Sequence, residues 1–242
     1  VIKAMYKGFE FLGGKPRGIA LRQLNVIPHG RGLGSSASAI VGGLSLARAL
    51  VLGGNERMSD EAMLVLANEM EGHPDNVATA IYGGANIAWQ DMQRGAMVAQ
   101  SVHIEVDARI GALAFIPATS VATSKARKML PESIAHSDAV RNSSNAALLV
   151  HALAQRPDLL HTATQDFLHQ SYRKEAMPQS FALLTKLRNA GVAAFISGAG
   201  PTVLVLHTGG PSEAEELRRA AGDKFTATEL GIARTGASLI SA

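Results

Sequence analysis

The stretch Pro28-His29-Gly30-Arg31-Gly32-Leu33-Gly34-Ser35-Ser36-Ala37 decides how the rest of this chain is read. Three glycines at alternate positions run into two serines and then into Ser35 to Leu52, whose small and apolar residues predict a helix. Glycine reaches positive φ and lets a ligand come close to the backbone. A helix start presents free N–H groups and the positive end of a dipole. Such a loop suits phosphates, with the serine hydroxyls adding contacts to phosphate or Mg²⁺. It is not G-x-G-x-x-G, because Ser35 stands at the last glycine's place, and no Gly-Lys-Ser/Thr ends it as in a Walker A loop. The other protein-kinase signatures are absent. The simpler alternative is a tight turn with a serine N-cap.

Ahead of the loop, Met5 to Leu12 has helical spacing, and the alternation of Gly18 to Ile27 predicts a strand. Beyond it, a helix is predicted from Ser59, a good N-cap, to Met70. Strands are predicted near Ile81 to Trp89, Met97 to Val106 and Ile110 to Ile116, and helices over Ser143 to Leu153, His161 to Tyr172 and Gln179 to Ala190. Short strands, Ala193 to Ile196 and Thr202 to Leu206, flank Ser197-Gly198-Ala199-Gly200-Pro201. Ser212-x-x-Glu215 reads as a capping box for a helix ending at Gly222, and a last strand is expected near Gly236 to Ile240. Helices and strands are mixed without a repeat, and a boundary near residue 104 divides two domains.

Three further features carry chemistry. Glu69-Met70-Glu71-Gly72-His73-Pro74-Asp75-Asn76-Val77 puts carboxylates at a helix C-terminus, where they oppose the dipole and call for a cation; Mg²⁺ with nucleotide phosphate is one candidate, a solvated Asx-turn the other. His73 has no partner histidine at i+4 and is not read as a metal ligand. Ser197 to Thr202 offers a second backbone wall for a ligand, or simply a turn. Arg127 and Arg173 are the residue type that grips carboxylate or phosphate.

Composition narrows the classes. Among 242 residues, 47% are hydrophobic and 18% charged, so the chain is globular. The absence of cysteine excludes a disulfide scaffold and a thiol nucleophile. Only 5% of residues are aromatic, and the net charge of +3 is spread without a basic arm, which argues against a nucleic-acid partner. The longest apolar stretch, Ala37 to Leu52, is broken by Arg48 and is no membrane span.

Taken together, these segments resemble the GHMP kinase superfamily. Pro28 through Ala37 is similar to its second motif, and Ser197 through Thr202 to its third. Glu71 through Val77 with the Gly83-Gly84 pair beyond it, the Thr123…Arg127…Leu130-Pro131 segment and Tyr172-Arg173 resemble the homoserine kinases within it. The resemblance implies an α+β, two-domain GHMP kinase fold. Residues 1–104 would form a ribosomal protein S5 domain 2-like N-terminal domain with a left-handed βαβ crossover. Residues 105–242 would form a ferredoxin-like C-terminal domain, with ATP in the cleft between the two. It implies transfer of the ATP γ-phosphoryl group to the side-chain hydroxyl of L-homoserine, on the way to threonine.

The resemblance also implies residue roles. Pro28, Gly30, Arg31, Gly32, Leu33, Gly34, Ser35 and Ser36 would bind ATP, and Ser36 and Glu71 would hold Mg²⁺. His73, Asp75, Asn76, Arg127, Arg173, Gly198 and Gly200 would line the substrate, with Thr123 and Arg127 beside the transferring group. Homoserine kinases show no obvious catalytic aspartate, so no general base is assigned. A cytoplasmic enzyme without nucleic-acid or membrane partners is expected, with a homodimer allowed. The alternatives are another GHMP small-molecule kinase of mevalonate type, or an inactive nucleotide-binding chain. The second arises because the family's first motif, Pro-x-Ser/Thr-x-Asn-Leu-Gly-x-Gly-Phe-Asp, has no counterpart ahead of Pro28. A first domain incomplete at its start, with exposed strand edges, is therefore expected.

Overall fold

A computed structural model describes residues 1–14, 16, 18–93 and 95–240. The chain forms two compact units. The first comprises Val1–Ile27, Gly34–Ile104 and Ala233–Ala242, the second Pro28–Leu33 and Glu105–Ile232. The opening motif thus divides between them at Leu33–Gly34.

In the first unit, α1 (Ile2–Phe11), α2 (Ser35–Leu50), the short α3 (Gly54–Arg57), α4 (Asp60–Glu71) and α5 (Asp75–Tyr82) precede an antiparallel hairpin, β1 (Ala85–Gln93) and β2 (Ala96–Ile104). Leu44, Met58, Met63, Leu64 and Val77 form its core, each under 2% exposed. The small residues of α2 serve helix packing: a Cβ on Gly43 would lie 2.4 Å from the Val1 carbonyl oxygen, so α1 sits there backbone to backbone. Ser59 caps α4 by accepting from Ala62 N, as its sequence predicts.

The second unit carries β3 (Gly111–Pro117), α6 (Thr123–Lys128), α7 (His136–Ala154), α8 (Leu160–Ala163), α9 (Pro178–Asn189), β4 (Ala193–Ile196), β5 (Val203–His207), α10 (Gly210–Ala221) and β6 (Phe225–Leu230). Its strands are all antiparallel, in the order β4-β5-β3-β6. With α9 and α10 as the crossover helices, this is the ferredoxin-like β-α-β-β-α-β arrangement. The core joins Leu113 and Phe115 of β3 to Leu183, Leu184 and Leu187 of α9 and Leu217 of α10. Among the described residues, no helix is long and apolar enough to cross a membrane.

Four expectations are corrected. Gly18 to Ile27 is no strand: its backbone joins no sheet among the described residues, and Leu24 and Val26 are exposed. His161 to Tyr172 is not one helix. The Asp166 carboxylate accepts from the amides of Leu168, His169 and Gln170 and so ends helical pairing; a 3-10 turn, Ser171–Ala176, comes next. No capping box forms at Ser212, because α10 begins at Gly210 and it is Glu213 that accepts from Gly209 N, at 2.6 Å. Gly236 to Ile240 adds no strand either; the last strand among the described residues is β6, whose adjacent polar pair Thr228-Glu229 breaks the apolar–polar alternation that marks a strand.

Candidate active site

The first half of the glycine loop, Pro28–Leu33, is closed on the protein. Gly30, Gly32 and Gly34 have φ of 63°, 72° and 73°, the left-handed region that favours glycine. The Gly30 carbonyl accepts from Val121 N and the Arg31 carbonyl from Thr202 N. Ser197 Oγ donates to the Gly32 carbonyl at 2.8 Å. A Cβ on Gly32 would lie 2.1 Å from the Ser197 carbonyl oxygen. The two glycine turns, far apart in sequence, therefore touch through bare backbone. The Arg31 guanidinium donates to the carbonyls of Pro117, His29 and Ala118, so it braces the loop from behind. Gly200 needs its glycine for a different neighbour, since a Cβ there would meet Met177 at 2.5 Å.

The second half is open. Gly34 is the N-cap of α2, and without a side chain it makes no cap hydrogen bond of its own. A Cβ on Gly34 would meet nothing nearer than Asn76 Oδ1 at 3.9 Å. Ser36 does not cap its own helix; its Oγ donates to Glu71 Oε2 at 2.6 Å, across from the end of α4. The two residues assigned to Mg²⁺ are thus brought together. A hydroxyl and a carboxylate are hard oxygen donors, and Mg²⁺ takes few protein ligands when phosphates supply the rest. Among the described residues no group of three or more His, Asp or Glu could hold a metal by itself. The donor set fits Mg²⁺ shared with a nucleotide.

The acidic run after α4 is better compensated than its sequence suggests. Lys7 Nζ lies 3.3 Å from Glu69, and Asp75 sits in the first turn of α5, where the dipole favours a carboxylate. Gly72 closes α4 in the left-handed conformation and turns the chain. Asp75 Oδ1 then contacts His73 Nδ1 at 2.5 Å and accepts from Asn76 N at 2.6 Å. His73, Asp75 and Asn76 form one cluster in the first unit.

The arginines gather in the second unit. Arg173 is 8% exposed, with Nε donating to the Ala126 carbonyl and Nη1 to the Gly198 carbonyl. Burial lowers the pKa of its guanidinium, the Asp166 carboxylate opposes that, and the like charge of Arg127 adds to it. Arg127, on α6, is exposed, and among the described residues its guanidinium makes no hydrogen bond or ion pair, although its carbonyl accepts from Leu130 N. Arg173 and Arg127 thus lie near enough for their like charges to interact, and the Arg127 guanidinium has no partner among the described residues. Thr123 starts the same helix and is exposed.

Two supporting residues escaped sequence reasoning. Gln170 is buried, and its Oε1 accepts from Ile196 N at 2.6 Å, just ahead of the Ser197 turn, while its carbonyl accepts from Arg173 N. Asp166 holds the turn that leads to Gln170. The only signal available was an Asp with Gln and Arg a few residues later, a pattern common on any surface.

The GHMP kinases N terminal domain profile matches residues 1–84, and the GHMP kinases C terminal profile matches 145–227. A homoserine kinase of Streptomyces coelicolor is 45% identical over 240 residues, covering 99% of this chain and 76% of its own length. One from Streptomyces avermitilis is 46% identical over 238 residues, covering 98% of this chain and 76% of its own. The crystal structure of a homoserine kinase from Cytophaga hutchinsonii matches with a TM-score of 0.72 at 24% identity, covering 96% of this chain and 76% of that one; at that identity the likeness is one of fold.

Proposed function

The chain belongs to the GHMP kinase family, on its homoserine kinase branch, and from this premise we propose that it transfers the γ-phosphoryl group of ATP to the side-chain hydroxyl of L-homoserine. One observation carries the reading: the chain is 45% identical to a homoserine kinase over 240 residues, 99% of its length.

Phosphoryl transfer passes through a loose transition state, so positioning and charge neutralisation do most of the work. The backbone N–H groups at the start of α2 receive the phosphates, while Arg31 and Ser197 keep the loop in shape behind them. Ser36 and Glu71 hold Mg²⁺, which supplies positive charge to the phosphate oxygens. Arg127 and Arg173 take the homoserine carboxylate. Asn76, with His73 and Asp75, faces the amino-acid end of the substrate, and Thr123 stands beside the transferring group. No side chain is assigned as general base. With ATP and a free amino acid as substrates, the enzyme fits the cytoplasm, and a homodimer is compatible with the family.

The test is turnover with L-homoserine, mevalonate and galactose under saturating Mg-ATP. Homoserine should give the highest kcat/KM. Faster turnover of mevalonate or galactose refutes the substrate, and binding of Mg-ATP and homoserine without turnover favours a non-catalytic chain.

A further inference from the structure

The last residues of the chain lie outside every motif, and they return to the first unit to fold against α5. Gly84 N donates to the Ala233 carbonyl at 2.6 Å, and Ala237 N donates to the Ala80 carbonyl at 2.9 Å. The Ala80 carbonyl is one of the acceptors that the end of α5 leaves without an intrahelical partner, and Gly84 N lies in the turn just beyond it. The tail thus caps the helix with two backbone bonds. Its approach is as close as backbone allows. A Cβ on Gly83 would lie 2.4 Å from the Thr235 carbonyl carbon, and one on Gly236 would lie 2.0 Å from the Ile81 carbonyl oxygen. Gly236 is not in the left-handed region, so space alone requires glycine there.

The other end of α5 carries Asp75, whose Oδ1 bonds both His73 Nδ1 and Asn76 N. The helix is a rod of two turns, with Val77, Ala78 and Ile81 buried along it. A displacement imposed where Gly236 meets Ile81 is therefore transmitted along the rod to Asp75. We propose that residues 233–237 are a positioning element for the substrate cluster at the start of α5, and that Gly236 is the residue on which the seating depends. The proposal rests on the functional reading in which His73, Asp75 and Asn76 face homoserine. The tail touches no substrate; it acts through α5.

The test compares Gly236→Ala with Gly231→Ala, whose added Cβ would meet nothing within 4 Å. Two readouts are needed. Amide exchange over residues 75–84, measured without substrates, should speed up in Gly236→Ala and stay unchanged in Gly231→Ala. Steady-state kinetics should show homoserine KM rising roughly tenfold in Gly236→Ala, since a displacement of about 1 Å suffices for such losses, with ATP KM within about twofold. Faster exchange with unchanged homoserine KM overturns the positioning role, as does an equal rise in both KM values. Unchanged exchange overturns the seating itself. If the unmodified protein fails to turn over homoserine, the functional reading falls, and the substrate role of the tail falls with it, whatever exchange shows.

Discussion

Gly32 and Gly34 stand two residues apart in one loop, with nearly the same φ, yet they are glycines for opposite reasons. At Gly32 the space a side chain would fill is occupied by the Ser197 carbonyl and by Gly200 backbone. At Gly34 that space is open, and the chain runs on into the start of α2 and a serine bonded to Glu71. The same division separates Arg31, each of whose three guanidinium nitrogens donates to a carbonyl, from Arg127, whose guanidinium bonds to nothing among the described residues. One half of the motif is bonded into the protein, and the other is open, which is where the proposed function puts the nucleotide. A glycine pattern in sequence merges the two.

The contrast breaks if Gly32 and Gly34 respond alike. Gly32→Ala forces a Cβ into backbone and adds left-handed strain, for an expected loss of about 3 kcal/mol or more of stability. Urea unfolding should show the midpoint falling before any nucleotide is added. Gly34→Val should lose only about 1–2 kcal/mol of stability from its left-handed φ, while Mg-ATP affinity by calorimetry drops well beyond what that explains. Retained ATP affinity in Gly34→Val would mean the open half is merely a turn.

Arg127→Ala comes next in size. A charged group that meets a carboxylate contributes about 1.5–3 kcal/mol, so homoserine KM should rise roughly ten- to hundredfold. ATP KM and the unfolding midpoint should barely move, because the Arg127 guanidinium is bonded to no other described residue. Loss of stability instead would place this arginine on the architectural side.

The same line divides what the sequence disclosed from what it hid. Residues acting through local type and spacing were legible: the Ser59 cap and the strands around the Ser197 turn; that Ser36 and Glu71 belong together came from the family resemblance alone. So was the α+β alternation of the second unit. Residues acting through distant partners were not. The guanidinium bonds of Arg31 to Pro117 and Ala118 leave no trace in sequence, and Ser212 reads as a cap until Glu213 is seen to bond Gly209. Gly18 to Ile27 alternates as a strand does, but alternation says nothing about whether a neighbouring strand exists. Local pattern fixes what a segment could become; its partners decide what it is.

The smallest effect concerns Asp166, which belongs wholly to the architectural side. Burial raises its carboxyl pKa, but the His169 side chain and the Gln170 and His169 amides outweigh that, so the group is held below its usual value. A carboxylate depressed in the folded state stabilises the fold fully above its unfolded pKa of about 3.9. That contribution is lost as pH falls through the lower folded value. Stability should therefore fall below about pH 4, and Asp166→Asn should flatten that part of the profile while costing about 1 kcal/mol at neutral pH. The same variant loosens the turn before Gln170, which bonds Ile196 and Arg173. Homoserine KM should thus rise slightly, far less than in Arg127→Ala, with ATP KM unchanged. A larger rise than in Arg127→Ala would show that the turn, and not the exposed guanidinium, governs how the carboxylate is held.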